Sequence, residues 1–514
     1  MNRPSCIRLA ALILLVLFFT TACGISRPTP QSGDPTGVVP PPAKTDTVPV
    51  LSETTAAPDP TDNAAATGSP GVGDSLYPDF GNGGYDVQHY DLELKVTDVE
   101  AGDLEAVVMI SAQSTQDLTA FNLDFIGFTI TEVLINDSPA EFERSGQELT
   151  IIPGEAIPAG TDFTVKIAYA GTPERLDSEA AVGRVGWIPL DEGSLVLSEP
   201  DGAATYYPVN DHPLDKAAYT FRVTVPVGYE VVANGVLSVV GKKGDWMTYT
   251  WEARDPLASY LATVNIGNYD LETDTSPSGV PIRNYYATSL DDEAWEPFAR
   301  QPEMVDYFSD VFGAYPFVIY GSIVVDTEVG TALEAQTLSL YGIDQLDLED
   351  IDAAEQLVAH ELAHQWFGDS VSVADWGDIW LNEGFATYAE GLWIEHTQGV
   401  AERDEWVMDN YEYVADYLGD EPPPGSPAPD NLFSERVYCQ GALTLHALRL
   451  EVGDDVFFDI LQTYFDRFKG GNARTADFIS IAEEVAGREL TEFFQAWLYA
   501  ETIPAIPELE LYSD

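Results

Sequence analysis

The sequence predicts an α+β protein of two domains, an antiparallel β domain followed by a mostly helical one, and three patterns carry that expectation. From about Tyr85 to about residue 272, apolar and polar residues alternate with a period of two. After about residue 275 the apolar residues fall three and four apart, as on a helix face. Turn residues recur between the alternating runs, as in Asn136-Asp137 and Asn234-Gly235. With 514 residues, 45% of them hydrophobic, the chain can bury two or three cores.

The first 23 residues read as an export signal. Arg3 and Arg8 precede an eleven-residue apolar run, Leu9 to Phe19, which is too short to span a bilayer. Thr20-Thr21-Ala22-Cys23 then resembles a bacterial lipoprotein cleavage site, with Thr20 where such sites usually carry Leu. The expectation is a lipid anchor on Cys23 and a place in the cell envelope, facing the periplasm or the exterior. The alternative is a soluble secreted protein cut near Ala22. Of three cysteines, Cys6 would leave with the signal and Cys23 would carry lipid, so Cys439 would have no disulfide partner.

Residues 24–80 hold eleven prolines among Thr, Ser, Ala, Gly and Asp, a composition that cannot repay the entropy of ordering. They are expected to form a flexible tether. Residues 81–272 then make the β domain, with alternation in Tyr90-Leu92-Leu94-Val96, Phe163-Val165-Ile167-Tyr169 and Phe221-Val223-Val225. Residues 273–507 make the second domain, with helices over 293–312, 351–367, 383–397, 402–418, 438–451, 454–468, 475–486 and 489–500. The run from Glu421 to Pro429 must be a loop.

Charge narrows the function. Asp and Glu number 86 against 23 Lys and Arg, a net charge of −63. Such a chain repels nucleic acid and anionic membrane surfaces and attracts cations, although most of this acidity serves a solvated surface.

The chemistry concentrates in His360-Glu361-Leu362-Ala363-His364, an H-E-x-x-H motif. On a helix, residues four apart share a face, so two imidazoles can hold one Zn²⁺ at about 2.0–2.1 Å. Glu361 lies about 100° round the helix from His360, placed to take a proton from water without ligating the metal. Leu357, Val358 and Trp366 would bury the helix, and Gly368 would end it. Eighteen residues separate His364 from Glu383, which would complete a His₂Glu set and leave the fourth zinc position open.

H-E-x-x-H followed by Glu383 within Trp380-Leu381-Asn382-Glu383-Gly384-Phe385-Ala386 resembles the M1 aminopeptidases, as do three further segments of residues 80–507. Thr331-Ala332-Leu333-Glu334-Ala335 stands at the family's G-x-M-E-N strand, 26 residues from Glu334 to His360, and the resemblance implies that Glu334 binds the substrate α-amine. Glu199-Pro200 and the stretch to Ala217 resemble the β-domain segment that reaches the active site. Glu199 would be a second amine contact, Ala204 replaces the family's Arg, and Asp211 and Lys216 would brace the loop. Tyr438-Cys439-Gln440-Gly441-Ala442 resembles Y-x-K-G-A, which makes Tyr438 the donor to the oxyanion, with Gln in place of Lys. The resemblance implies a saddle-like β domain and a thermolysin-like catalytic domain with one Zn²⁺. It also implies peptide substrates with a free N-terminus, and a cleft left open by the missing helical C-terminal domain. A thermolysin-like endopeptidase and a catalytically silent peptide-binding lipoprotein are the alternatives.

Overall fold

The computed structural model describes residues 66–512, apart from residues 175, 179, 181–183 and 191–192. The expected signal, Cys23 and most of the tether therefore lie outside the described residues. No described helix is long and apolar enough to cross a membrane.

The alternating segments form the predicted β domain. Its main sheet contains β1 (Tyr85–Asp98), β2 (Asp103–Ser114), β3 (Asp162–Gly171), β4 (Ala217–Pro226) and β5 (Trp246–Leu257). The order across its eight strands is Val236–Lys243, β5, β4, β1, β2, β3, Thr129–Ile135, Ser138–Pro139. All neighbours are antiparallel except β1 and β4, which run parallel. Tyr90, Leu92, Leu94 and Val96 all point into the core, so the period of two marks one buried face. Asn136 and Asp137 take φ of +47° and +62°, the left-handed pair that a tight hairpin needs. Two smaller sheets pack beside this one.

The second domain begins on a five-stranded sheet ordered β6 (Tyr269–Thr275), β7 (Pro281–Ala287), β8 (Tyr320–Val325), β10 (Ser339–Gly342), β9 (Ala332–Leu333). The expected boundary at 272/273 therefore falls inside β6, and the sheet places it nearer residue 268. The helices are α1 (Gln301–Phe312), α2 (Ile351–Ala363), α3 (Trp380–Thr397), α4 (Val400–Tyr417), α5 (Glu435–Val452), α6 (Asp454–Phe468), α7 (Thr475–Ala486) and α8 (Thr491–Leu498). Each matches an expected helix to within a few residues, except that a 3-10 turn over Asp292–Phe298, with Pro297 inside it, replaces the start of the first. The fold also continues past residue 507, where Ile506 bridges to Leu511.

The expected tether extends too far. Residues 66–80 are packed, because Ala66–Thr67 pairs with the strand Leu118–Asp124 and Asp74 is buried. The Asp74 carboxylate accepts from the backbone N–H groups of Leu76, Tyr77 and Trp376 and faces His212 Nε2 at 3.1 Å. Ser75 bonds Asp375 through both its N–H and its hydroxyl. These polar contacts, with Leu76, Tyr77 and Phe80 packed against the core, hold the segment in place, which composition could not reveal.

Lys216 crosses the domain interface. Its ammonium donates to the carbonyls of Asp369, Ser370 and Gly471 at 2.8–3.1 Å, which uses all three of its donors. Asp211 accepts from the Ala204 N–H and the Ser259 hydroxyl. Both residues brace the structure, as expected.

Candidate metal centre

Helix α2 starts where the Asp350 side chain accepts from the Ala353 N–H, and it is buried along Leu357, Val358 and Leu362. The chain leaves it at Gly368, whose φ is +136° and where an added Cβ would stand 3.1 Å from His364 Nδ1. The close turn brings the Phe367 carbonyl to 3.1 Å from the same nitrogen. That carbonyl can only accept, so His364 carries its proton on Nδ1 and turns a bare Nε2 inward. The Glu390 carboxylate does the same for His360 Nδ1 at 2.9 Å.

The two Nε2 atoms lie 3.2 Å apart, and each lies 3.4 Å from Glu383 Oε2. Ligands on a tetrahedral zinc at about 2.0–2.1 Å are separated by roughly 3.3–3.4 Å, so the triangle has the right size. All three side chains are buried. Burial opposes charge on the imidazoles, yet Glu383 and Glu390 around His360, and Glu383 and Glu334 around His364, hold both above the usual histidine range. Burial likewise opposes ionisation of Glu383, but the two histidines hold it down at about 2. Two inward lone pairs and a carboxylate thus converge on a point that favours a positive charge. The donor set fits Zn²⁺, and His360, His364 and Glu383 would hold it.

Glu361 is buried beside them. Burial lifts its carboxyl to about 8, with His360 and His364 pulling it back and Glu334 and Glu383 pushing it up. A dication at the triad would lower it again. Glu334 follows the edge strand β9, and its backbone carbonyl is fixed by Gln365 Nε2 at 3.0 Å. Glu199, Glu334 and Glu383 bring carboxylate oxygens within 4.8 Å of one another. Tyr438 stacks on His360, ring centroids 6.0 Å apart and 17° from parallel. Glu199, Glu334, His360, Glu361, His364, Glu383 and Tyr438 all line one pocket, so every expected site residue converges there. Gln440 does not reach it, because its amide bonds Arg436 and the Trp497 carbonyl, tying α5 to α8.

Three contributors escaped the sequence reading. Glu390 orients His360; its only sequence signal is its position seven residues after Glu383, on the same face of α3. Gln365 holds the Glu334 strand to the end of α2. Gly384 on α3 and Gly441 on α5 touch backbone to backbone, since a Cβ on Gly441 would stand 2.8 Å from Gly384 Cα. That crossing brings Tyr438 to Glu383.

The Peptidase M1 N-terminal domain model matches residues 86–261, and the Peptidase family M1 domain model matches residues 297–497. An aminopeptidase N of Streptomyces lividans is 28% identical over 83% of this chain and 52% of its own length. A glutamyl aminopeptidase of Sus scrofa is 26% identical over 82% of this chain and 48% of its own length. The chain thus spans about half the length of these relatives. A mutant M1 zinc metallopeptidase from Deinococcus radiodurans, solved with a Tyr-Ser-Ala substrate, superposes with a TM-score of 0.78 at 31% identity, covering 85% of this chain and 99% of that one. Mutant forms of a two-domain M1 zinc metallopeptidase bound to L-arginine or L-tryptophan superpose with TM-scores of 0.78 and 0.79. With both domains matched and nearly the whole of a 31%-identical structure covered, this chain belongs to peptidase family M1.

Proposed function

We propose that the protein is a zinc-dependent aminopeptidase that removes N-terminal residues from peptides. The observation that carries this reading is the pair of carboxylates, Glu199 and Glu334, beside a His₂Glu zinc set. A free α-ammonium has three donors and one charge, and two carboxylates lining one pocket answer both. An endopeptidase has no use for such a pair, and a silent binding protein has no use for Glu361.

Zinc bound at the triad would polarise the scissile carbonyl and make water more acidic. Glu334 and Glu199 accept from the substrate amine and set how far the chain enters. Glu361 takes a proton from the attacking water as its oxygen bonds to the carbonyl carbon. It then delivers that proton to the amide nitrogen, and the C–N bond breaks. The Tyr438 hydroxyl, whose ionisation burial and four glutamates push well above 10, stays protonated and donates to the oxygen that gains charge.

The test compares an aminoacyl p-nitroanilide with its N-acetylated twin. Cleavage of the free amine alone is expected, and equal cleavage of both would refute the exopeptidase reading. Glu361→Gln should keep its zinc and lose about 10²–10⁴-fold in kcat. Zinc bound by Glu361→Gln at wild-type activity would refute the role of Glu361.

The export signal supports a second part of the reading, that the enzyme is lipid-anchored through Cys23 and acts in the cell envelope. Full-length protein made in a bacterial host should fractionate with membranes, and Cys23→Ala should release it. A Cys23→Ala protein that stays with the membrane would refute the anchor.

A further inference from the structure

A groove of about 560 Å³ shares no lining residue with the pocket of the metal centre. It lies where the two domains meet, between two sheet edges. One wall belongs to the strand Val236–Lys243, outermost in the eight-stranded sheet, and the other to β6, outermost in the five-stranded sheet. Each of these strands pairs on one side only, so each keeps a row of backbone N–H and C=O groups free of any strand partner. Val236, Leu237 and Leu271 stand in the walls 39–54% exposed.

Arg283 of β7 lines the same groove, yet it is only 5% exposed. Its guanidinium stacks on Trp251 at 4.6 Å, and Nη2 donates to the Ala233 carbonyl at 3.2 Å. Its Nε is buried and has no partner. Burial lowers its pKa to about 10, and among the described residues the neighbours that act on it are Tyr285 and Tyr315, with no carboxylate. A buried charge is costly unless it is paired. In a chain with 86 Asp and Glu, the missing acid is not explained by scarcity. Asp274 also lines the groove, but it is exposed and forms no ion pair with Arg283.

We propose that this groove binds the carboxyl terminus of an extended peptide, with Arg283 taking the terminal carboxylate and the apolar walls taking the last side chain. Charge complementarity selects the occupant. Guanidinium presents Nε and Nη as a fork that matches the two oxygens of a carboxylate. The last residue of a peptide carries a carboxylate and a side chain on one carbon, so it can meet Arg283 and an apolar wall together. The residues before it can add to a free strand edge through their backbone. An internal Asp or Glu spends its side chain on the carboxylate and leaves the wall unfilled. The net charge of −63 repels free anions at long range, so the attraction must be local to Arg283. The ligand needs no free N-terminus, and the proposal stands apart from the aminopeptidase reading.

The test is isothermal titration of the zinc-loaded full chain with N-acetyl-Ala-Ala-Val-Leu in about 0.15 M salt, which screens the long-range repulsion. The acetyl group removes the amine that Glu199 and Glu334 would bind. The free acid should bind at least tenfold more tightly than its C-terminal amide. Leu271→Asp, at an exposed position of the wall, should weaken the acid at least tenfold by placing a like charge beside it. Arg283→Gln should bind acid and amide alike; should that variant fail to fold, the acid–amide comparison and Leu271→Asp decide. Equal binding of acid and amide by the wild type would overturn the proposal, as would no binding of the acid up to millimolar concentration. So would full affinity in a folded Leu271→Asp or Arg283→Gln protein. An amidated peptide ending in Asp that bound as tightly as the acid would overturn the assignment to a terminus. A dimer in sedimentation that Leu271→Asp dissolves would give the groove to a second copy of the chain instead.

Discussion

Replacing Gly441 by alanine tests whether the crossing of α3 and α5 positions the catalytic tyrosine. The new Cβ would stand 2.8 Å from Gly384 Cα and 3.5 Å from its nitrogen, while ordinary contact begins at 3.4 Å. Both neighbours are backbone atoms in a buried helix, so no side chain can turn aside, and the helices must part by about 0.6 Å. Such overpacking costs about 1–3 kcal/mol. Alanine recovers about 1 kcal/mol of helix propensity relative to glycine. The net loss of stability is therefore small, roughly 0–2 kcal/mol, or a few degrees in Tm. The loss of function is larger. Tyr438 rides on α5 and Glu383 on α3, so the shift moves the oxyanion donor away from the metal ligands. Misplacement on the order of 1 Å costs about a hundredfold in rate, so kcat/KM should fall ten- to a hundredfold. The assay is hydrolysis of an aminoacyl p-nitroanilide, with zinc content and Tm measured on the same sample. Full zinc with reduced kcat/KM is the expected result. Wild-type kcat/KM in Gly441→Ala, or activity lost only in proportion to zinc, would refute the argument.

Glu390→Gln should weaken zinc binding about 10–100-fold, because the amide no longer offers His360 Nδ1–H an anionic acceptor; competition with a chelator measures it. Chelation of the zinc should lower Tm as well as abolish activity, since the two imidazoles and Glu383 then face one another without a cation; an unchanged Tm would count against the triad as the metal site. Burial raises Asp211 from 3.8 to about 7, so the folded state holds a proton that the unfolded chain has released. Stability from this group is complete below pH 3.8 and falls as pH rises to about 7. Asp211→Asn keeps an acceptor for Ser259 and lacks the titration, so its Tm relative to wild type should rise across that window, and a constant difference would refute the shift.

The zinc triad was legible because it is largely local. His360 and His364 share a face by helical period alone, and Glu383 stands in a run, Trp380 to Ala386, that resembles the M1 aminopeptidases. The β domain was legible for a similar reason, since alternation in β1, β3 and β4 already states which face is buried. The order of the strands, with β1 parallel to β4 in an otherwise antiparallel sheet, has no such mark.

What the sequence determined by itself is therefore what repeats over a few residues: element type, buried face, and the metal-ligand spacing on α2. Tertiary structure alone decided the rest. The crossing at Gly384 and Gly441 joins residues 57 positions apart, and Asp74 meets Trp376 across 302. Glu390 and Gln365 look like ordinary helix or loop residues until burial removes the water that would otherwise satisfy them. The physical reason is the same in each case. A buried polar group must find its partner wherever the folded chain brings one, and that place is set by packing between elements rather than by any local period.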